Sequence, residues 1–121
     1  MTSIGFAMTP EPPYYAVVFS SLRKPGDNGY GATADRMVEL AAQQPGFLGV
    51  ETVRGEDGFG ITVSYWDSRA NIANFRANLE HTAAQQRGRE RYYTSYDLRV
   101  ARVERHVTFD TTRAVRREVL L

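Results

Sequence analysis

The sequence predicts one α+β domain in which a four-stranded antiparallel sheet carries two helices on one face. Three observations lead there. Strand-like and helix-like stretches follow the order β-α-β-β-α-β, glycine and proline clusters mark the junctions between them, and 121 residues with 42% hydrophobic content suit a single core.

The first thirteen residues include Pro10, Pro12 and Pro13 and have no sustained period, so residues 1–13 are expected to form a mobile or draped arm. The domain follows over residues 14–109. Tyr14 to Ser21 is aromatic and β-branched without a breaker, as in a strand buried on both faces. Pro25, Gly26, Asp27, Asn28 and Gly29 make a turn, and Asp27, Asn28 or Thr33 can cap a helix from about Tyr30 to Gln44. In that helix Ala34, Met37, Val38 and Ala41 recur on one side. Pro45 and Gly46 stop it.

Phe47 to Arg54 and Phe59 to Trp66 then form strands joined across Glu56, Asp57 and Gly58, an aspartate-glycine hairpin signal. Asp67 or Ser68 caps a second helix from about Arg69 to Arg87, with Ile72, Phe75, Leu79 and Ala83 as its buried stripe. Gly88 ends it, and a last strand is expected from about Ser95 to Thr108. There Leu98 and Val100 take one parity while Ala101, Val103 and Val107 take the other, which predicts a bulge or a change of partner near Val100. Residues 110–121 form a tail with a basic middle and the apolar end Val119, Leu120 and Leu121.

This order of elements is the split β-α-β of ferredoxin-like domains. Two helices shield one sheet face, yet both parities of the strands are apolar: Tyr15, Val17 and Phe19 against Tyr14, Ala16 and Val18. So much apolar surface calls for a cover, and a second copy in a two-fold homodimer is the simplest one.

Composition narrows the chemistry. With no cysteine there is neither a disulfide framework nor a thiolate nucleophile, and a net charge of +1 is far from the basic footprint of a nucleic-acid binder. Fourteen of the fifteen basic residues are arginine, which by itself forms no site. No apolar run approaches the roughly 20 residues that span a bilayer, and the first residues lack the pattern of a secretory signal. A cytoplasmic protein that engages neither membrane nor nucleic acid is the expectation.

The Gly26 to Gly31 turn after the first strand, the stretch Gln44-Pro45-Gly46-Phe47-Leu48-Gly49-Val50-Glu51, and Ser64-Tyr65-Trp66 before a helix resemble the antibiotic biosynthesis monooxygenase (ABM) domain family of dimeric α/β barrels. The resemblance covers about Tyr14 to His106. Glu80-His81, Ala84-Gln85, Gly88-Arg89 and Tyr92-Tyr93 are similar to a subgroup of small bacterial members. Membership implies a ferredoxin-like dimer and a kinship with cofactor-independent oxygenases of polyphenolic molecules and with haem-degrading enzymes. The haem-degrading branch uses a first-strand asparagine together with a tryptophan and a histidine on the second helix. The corresponding helix positions here hold Phe75 and Gln85, and the first strand has no asparagine, which speaks against that activity.

His81 has the residue type for abstracting a phenolic proton, since an unperturbed imidazole titrates near pH ~6.5. Beside Glu80 it equally suits a boundary residue paired with a carboxylate. Neither His81 nor His106 has companions at metal-ligand spacing, so no metal is expected, and the resemblance implies chemistry without any other cofactor. Trp66, Tyr65, Tyr92, Tyr93 and Tyr96 are candidate walls of a pocket for a flat aromatic ligand, with Tyr30 at its rim, although core and dimer packing use the same residue types. Arg89 is a candidate carboxylate clamp or a solvated arginine past a helix end. The leading expectation is a monooxygenase-like homodimer acting on a small aromatic or polyketide-like substrate without metal or flavin. Its rival is a non-catalytic ligand-binding or stress-related protein of the same fold.

Overall fold

The computed structural model describes residues 5–26, 38–80 and 93–111. Strands β1 (Tyr14–Arg23), β2 (Phe47–Arg54), β3 (Phe59–Trp66) and β4 (Tyr93–Val103) form one sheet in the order β2-β3-β1-β4, with every neighbouring pair antiparallel. Residues 38–42 are helical (α1), and α2 spans Arg69–Glu80. This is the expected ferredoxin-like arrangement, with the central strand β1 between β3 and β4. The remainder of the expected first helix and the second helix beyond Glu80 lie outside the described residues.

Local chemistry sets the junctions. The α1 stretch closes through Gln43 N–H to Leu40 C=O and Gln44 N–H to Ala41 C=O, a tightening of the last turn before Pro45. Gly46 takes φ +84°, and any Cβ there would collide with Asp67 and Asn71. Glycine is therefore needed both for the turn and for the close approach of β2 to the start of α2. Of the two expected caps, Ser68 is the one in place: its Oγ accepts the Asn71 amide at 3.1 Å, while Asp67 accepts the Asn71 side chain at 2.8 Å. The β2–β3 hairpin closes through Gly55 N–H to Phe59 C=O at 2.8 Å and Phe59 N–H to the Asp57 carboxylate at 3.0 Å.

Residues directly opposite in an antiparallel pair point to the same face, so the register sorts every strand residue. Four rows cross the helix-side face from β2 to β4: Phe47, Trp66, Tyr15 and Arg102; Val50, Ser64, Val17 and Val100; Thr52, Thr62, Phe19 and Leu98; and Arg54, Gly60, Ser21 and Tyr96. The first row anchors α2. Trp66 is 1% exposed, stacks on Phe75 of α2 at 5.2 Å and meets the edge of Phe47 at 5.5 Å, while its indole N–H donates to Ser64.

The opposite face is partly covered by the chain's own ends. The Ala7 amide donates to the Glu51 carboxylate at 3.0 Å, and the Ala7 side chain lies over Gly49, where a Cβ would be too close. Thr9 donates to the Tyr14 hydroxyl at 3.0 Å, and Tyr14 meets His106 Nδ1 at 3.1 Å, so the arm and the segment after β4 join at one buried phenol. The Tyr65 hydroxyl donates to Glu51 at 2.8 Å beside the Tyr14 ring. The arm is thus draped over the sheet through residues 7 to 9.

Three expectations about strands change. β1 runs two residues beyond Ser21, and β4 occupies Tyr93–Val103 instead of Ser95 to Thr108. No bulge occurs near Val100: the β1–β4 register is continuous from Tyr14 opposite Val103 to Leu22 opposite Ser95, and slips only where Arg23 faces Tyr93. The mixed parity has another cause. Ala101 and Val103 sit on the arm side with Ala16 and Tyr14, whereas Leu98 and Val100 stay half-exposed on the helix side, because an edge strand buries neither face fully.

Trp66→Ala removes a fully enclosed ring and should lower stability by about 3 to 5 kcal/mol in denaturant titration. An unchanged unfolding midpoint would mean that the ring is not a core element. Burial raises the pKa of the Tyr65 hydroxyl, and the hydrogen bond to Glu51 and the charge of its carboxylate raise it further. A phenol whose folded pKa lies above its unfolded value of about 10 contributes stability that is fully present below that pH and is lost as pH rises through the folded value. Ultraviolet titration of wild type against Tyr65→Phe should therefore show one phenol ionising later than the rest, and Glu51→Gln should bring it back toward the others.

Candidate functional site

The helix-side face divides chemically along β1. On the β4 side, Phe19 contacts Tyr93 at 5.4 Å and Tyr96 at 5.1 Å, and the two tyrosines are 6.0 Å apart. Leu98 and Val100 extend this wall. The slip between Leu22 and Arg23 lets it form: with Thr94 passed over in the pairing, Tyr93 turns to the face of Phe19 and Tyr96 instead of the reverse one. On the β2 side the rows are hydroxylic. The Thr52 and Thr62 hydroxyls are 2.7 Å apart, Ser64 receives the Trp66 indole N–H, and Ser21 accepts from Arg54 Nη2 at 2.7 Å.

Arg54 closes the hairpin end. It lies flat across Gly60, where any side chain would strike it, and also reaches the carbonyls of Ser21 and Gly58. Ser21 is buried, so this arginine is held by oxygens of β1 and of the hairpin turn. An open cavity of about 410 Å³ adjoins the same end, lined by Arg23, Lys24, Arg54, Glu56 and Asp57 among others. Its mixed charge and openness single out no ligand, and the aromatic wall is the better defined feature. An apolar wall beside a row of hydroxyls can hold a flat ring by stacking and orient its oxygen substituents by hydrogen bonds.

The structure separates the residues that the sequence grouped. Trp66 and Tyr65 are neighbours in β3 and therefore face opposite ways. Trp66 is a core ring on the helix side, while Tyr65 belongs to the Glu51 and Tyr14 cluster beneath the arm. They do not line one pocket. Tyr93 is part of the aromatic wall. His81, Tyr92, Tyr30 and Arg89 lie outside the described residues. Phe19, Thr52, Thr62, Ser21 and Arg54 were not singled out from sequence. Strand parity alone would have placed Phe19 and Ser21 together, but their partners depend on register.

His106 stands on the arm side, with Nδ1 near Tyr14 and Nε2 at 3.3 Å from the Thr108 hydroxyl. Among the described residues, no group of three histidine, cysteine, aspartate or glutamate side chains is placed to hold a metal ion. No helix among them is long and apolar enough to cross a membrane.

Comparison with known proteins places this geometry in a family. The family model for antibiotic biosynthesis monooxygenase matches residues 13–87. The chain is 61% identical over 101 residues to YqjZ, an uncharacterized protein of Bacillus subtilis, a match that spans 84% of this chain and 89% of that one. Among solved structures, SnoaB, a cofactor-independent oxygenase from Streptomyces nogalater, superposes with a TM-score of 0.62 at 11% identity, covering 78% of this chain and 97% of SnoaB. A protein of unknown function from Nitrosomonas europaea superposes at 0.58 and 15% identity, covering 75% and 89%. At these identities the structural likeness is one of fold. The matched model and the Bacillus relative together establish that the chain belongs to the antibiotic biosynthesis monooxygenase family.

Proposed function

We propose that this protein is a cofactor-independent, monooxygenase-like homodimer that takes a small aromatic or polyketide-like molecule on the helix-side face of each sheet. The observation that carries the reading is the Phe19, Tyr93 and Tyr96 wall beside the Thr52 and Thr62 hydroxyls. A polyphenolic molecule has the matching chemistry, an apolar ring face with oxygens at its rim. SnoaB, which shares the fold, supports the choice of oxygen chemistry.

In this reading His81 takes the acidic proton of the substrate. The electron-rich carbanion then reduces dioxygen and captures it as a peroxide anion, the proton held by His81 returns to make the hydroperoxide, and loss of water from it leaves a carbonyl. The aromatic wall keeps the ring oriented and excludes water from the carbanion. Tyr92, Tyr30 and Arg89 are proposed to complete the rim of the site.

A second reading, a non-catalytic ligand-binding protein, is favoured by one observation. The strand residues of the helix-side face offer hydroxyls, aromatic rings and arginines but neither a carboxylate nor an imidazole. On this reading the face binds and protects a ligand without turning it over.

Oxygen consumption with anthrone- or quinol-like substrates separates the two. Wild type should consume oxygen, His81→Ala should lose about 10² to 10⁴ of that rate, and Phe19→Ala should raise KM more than it lowers kcat. Binding by wild type without oxygen uptake would sink the oxygenase reading and leave the binding protein. For the dimer, sedimentation at low micromolar concentration should give twice the chain mass, and a lone protomer would overturn it.

A further inference from the structure

The arm presents its side chains in an order opposite to what a simple cover would need. Residues in an extended segment alternate between two sides. Ala7, the small one, points inward over Gly49, while its neighbours Phe6 and Met8 are 89% and 73% exposed. A strap that served only its own sheet would place the large apolar groups beneath it and the small one outside. The Ala7 amide bond to Glu51 and the Thr9 bond to Tyr14 fix this orientation, so the arm cannot roll over to bury Phe6 and Met8.

The same sheet face has an uncovered apolar strip. Gly49, Tyr65 and Ala16 lie in the row that the arm crosses, and two rows on, toward the hairpin, Val53 and Ile61 stand opposite each other, with Phe59 next. Val53 is 70% exposed, and Ile61 and Phe59 are also exposed. The other edge of this face carries Arg99 and Asp97 on β4, two residues apart and 3.9 Å from each other. A face with one acid and one base side by side at an edge, an apolar strip at the other edge and protruding apolar groups on an arm is complementary to itself under a two-fold rotation.

We infer that the arms form part of the interface between two copies, with Phe6 and Met8 of each chain packing on the Val53, Ile61 and Phe59 strip of the other. The occupant is a second copy of this chain because each chain carries both the protruding groups and a bare strip on one face, and the Arg99 and Asp97 charges at its edge are complementary to their own image. This rests on the dimer proposed above, to which it adds the residues that decide its strength. Covering the strip by exchange also explains why a Gly49 with no Cβ is placed under the arm: the arm must lie low for its neighbours to reach across.

Two measurements test the inference, and the absence of native cysteine makes the second one clean. Sedimentation equilibrium of Phe6→Asp/Met8→Asp should show a dimer dissociation constant raised at least tenfold, with the circular dichroism of the folded chain unchanged, because both side chains are exposed in the protomer. A tagged Phe6→Cys chain mixed with an untagged Val53→Cys chain should form a mixed interchain disulfide under mild oxidant. A variant that dimerises as wild type does, together with no mixed disulfide, overturns the arm exchange while leaving the dimer intact. A wild-type chain that stays monomeric overturns both.

Discussion

The central strand β1 is apolar on both parities, and a strand in that position can be stable only if both faces of its sheet are covered. The rest of the molecule follows from that constraint. On one face Trp66 and Phe75 lock α2 against the sheet, next to the Gly46 turn that brings β2 close. On the other, Tyr14 and Ala16 are buried beneath segments from both sides of the domain in sequence. The hydrogen bonds there are made by side chains that would be costly to bury unpaired: Tyr14 with Thr9 and His106, Tyr65 with Glu51.

The two faces consequently have different characters. The helix-side face keeps an aromatic wall and a hydroxylic row in view of each other, and no strand residue there is acidic. The arm-side face gathers a carboxylate, two phenols and an imidazole into contacts that tie segments together. The ring binding proposed above is assigned to the first face. Clasping belongs to the second.

Register slips contribute to this division. Leu48 is passed over between Phe47 and Gly49, which sends Phe47 toward Trp66 and leaves Gly49 for Ala7. The slip opposite Arg23 similarly delivers Tyr93 to Phe19. Each reassigns one aromatic ring to the helix side, and bulges of this kind are a common way to re-aim a side chain at the end of a strand. Both slips lie at the ends of the strand pairs, where the cost of a disrupted ladder is small.

Periodicity and turn chemistry in the sequence determined the order of elements, both bounds of β2 and β3, a cap at Asp67 or Ser68 and the dense aromatic content of β1, because these depend on neighbours a few residues away. The turn after β1, the Gln44 to Glu51 stretch and Ser64-Tyr65-Trp66 together also carried the resemblance to the family. Alternation already put Tyr65 and Trp66 on opposite faces, yet grouping residues by type joined them in one pocket. Only the tertiary structure decided that β4 runs straight through Val100, that Phe19 meets Tyr93 and Tyr96, that Arg54 reaches Ser21, and that His106 is joined to Tyr14 across 92 positions of chain. Those pairings are fixed by strand register and by long-range closure. Their energies come from partners that local sequence does not specify, so no window of the chain contains the information that selects them.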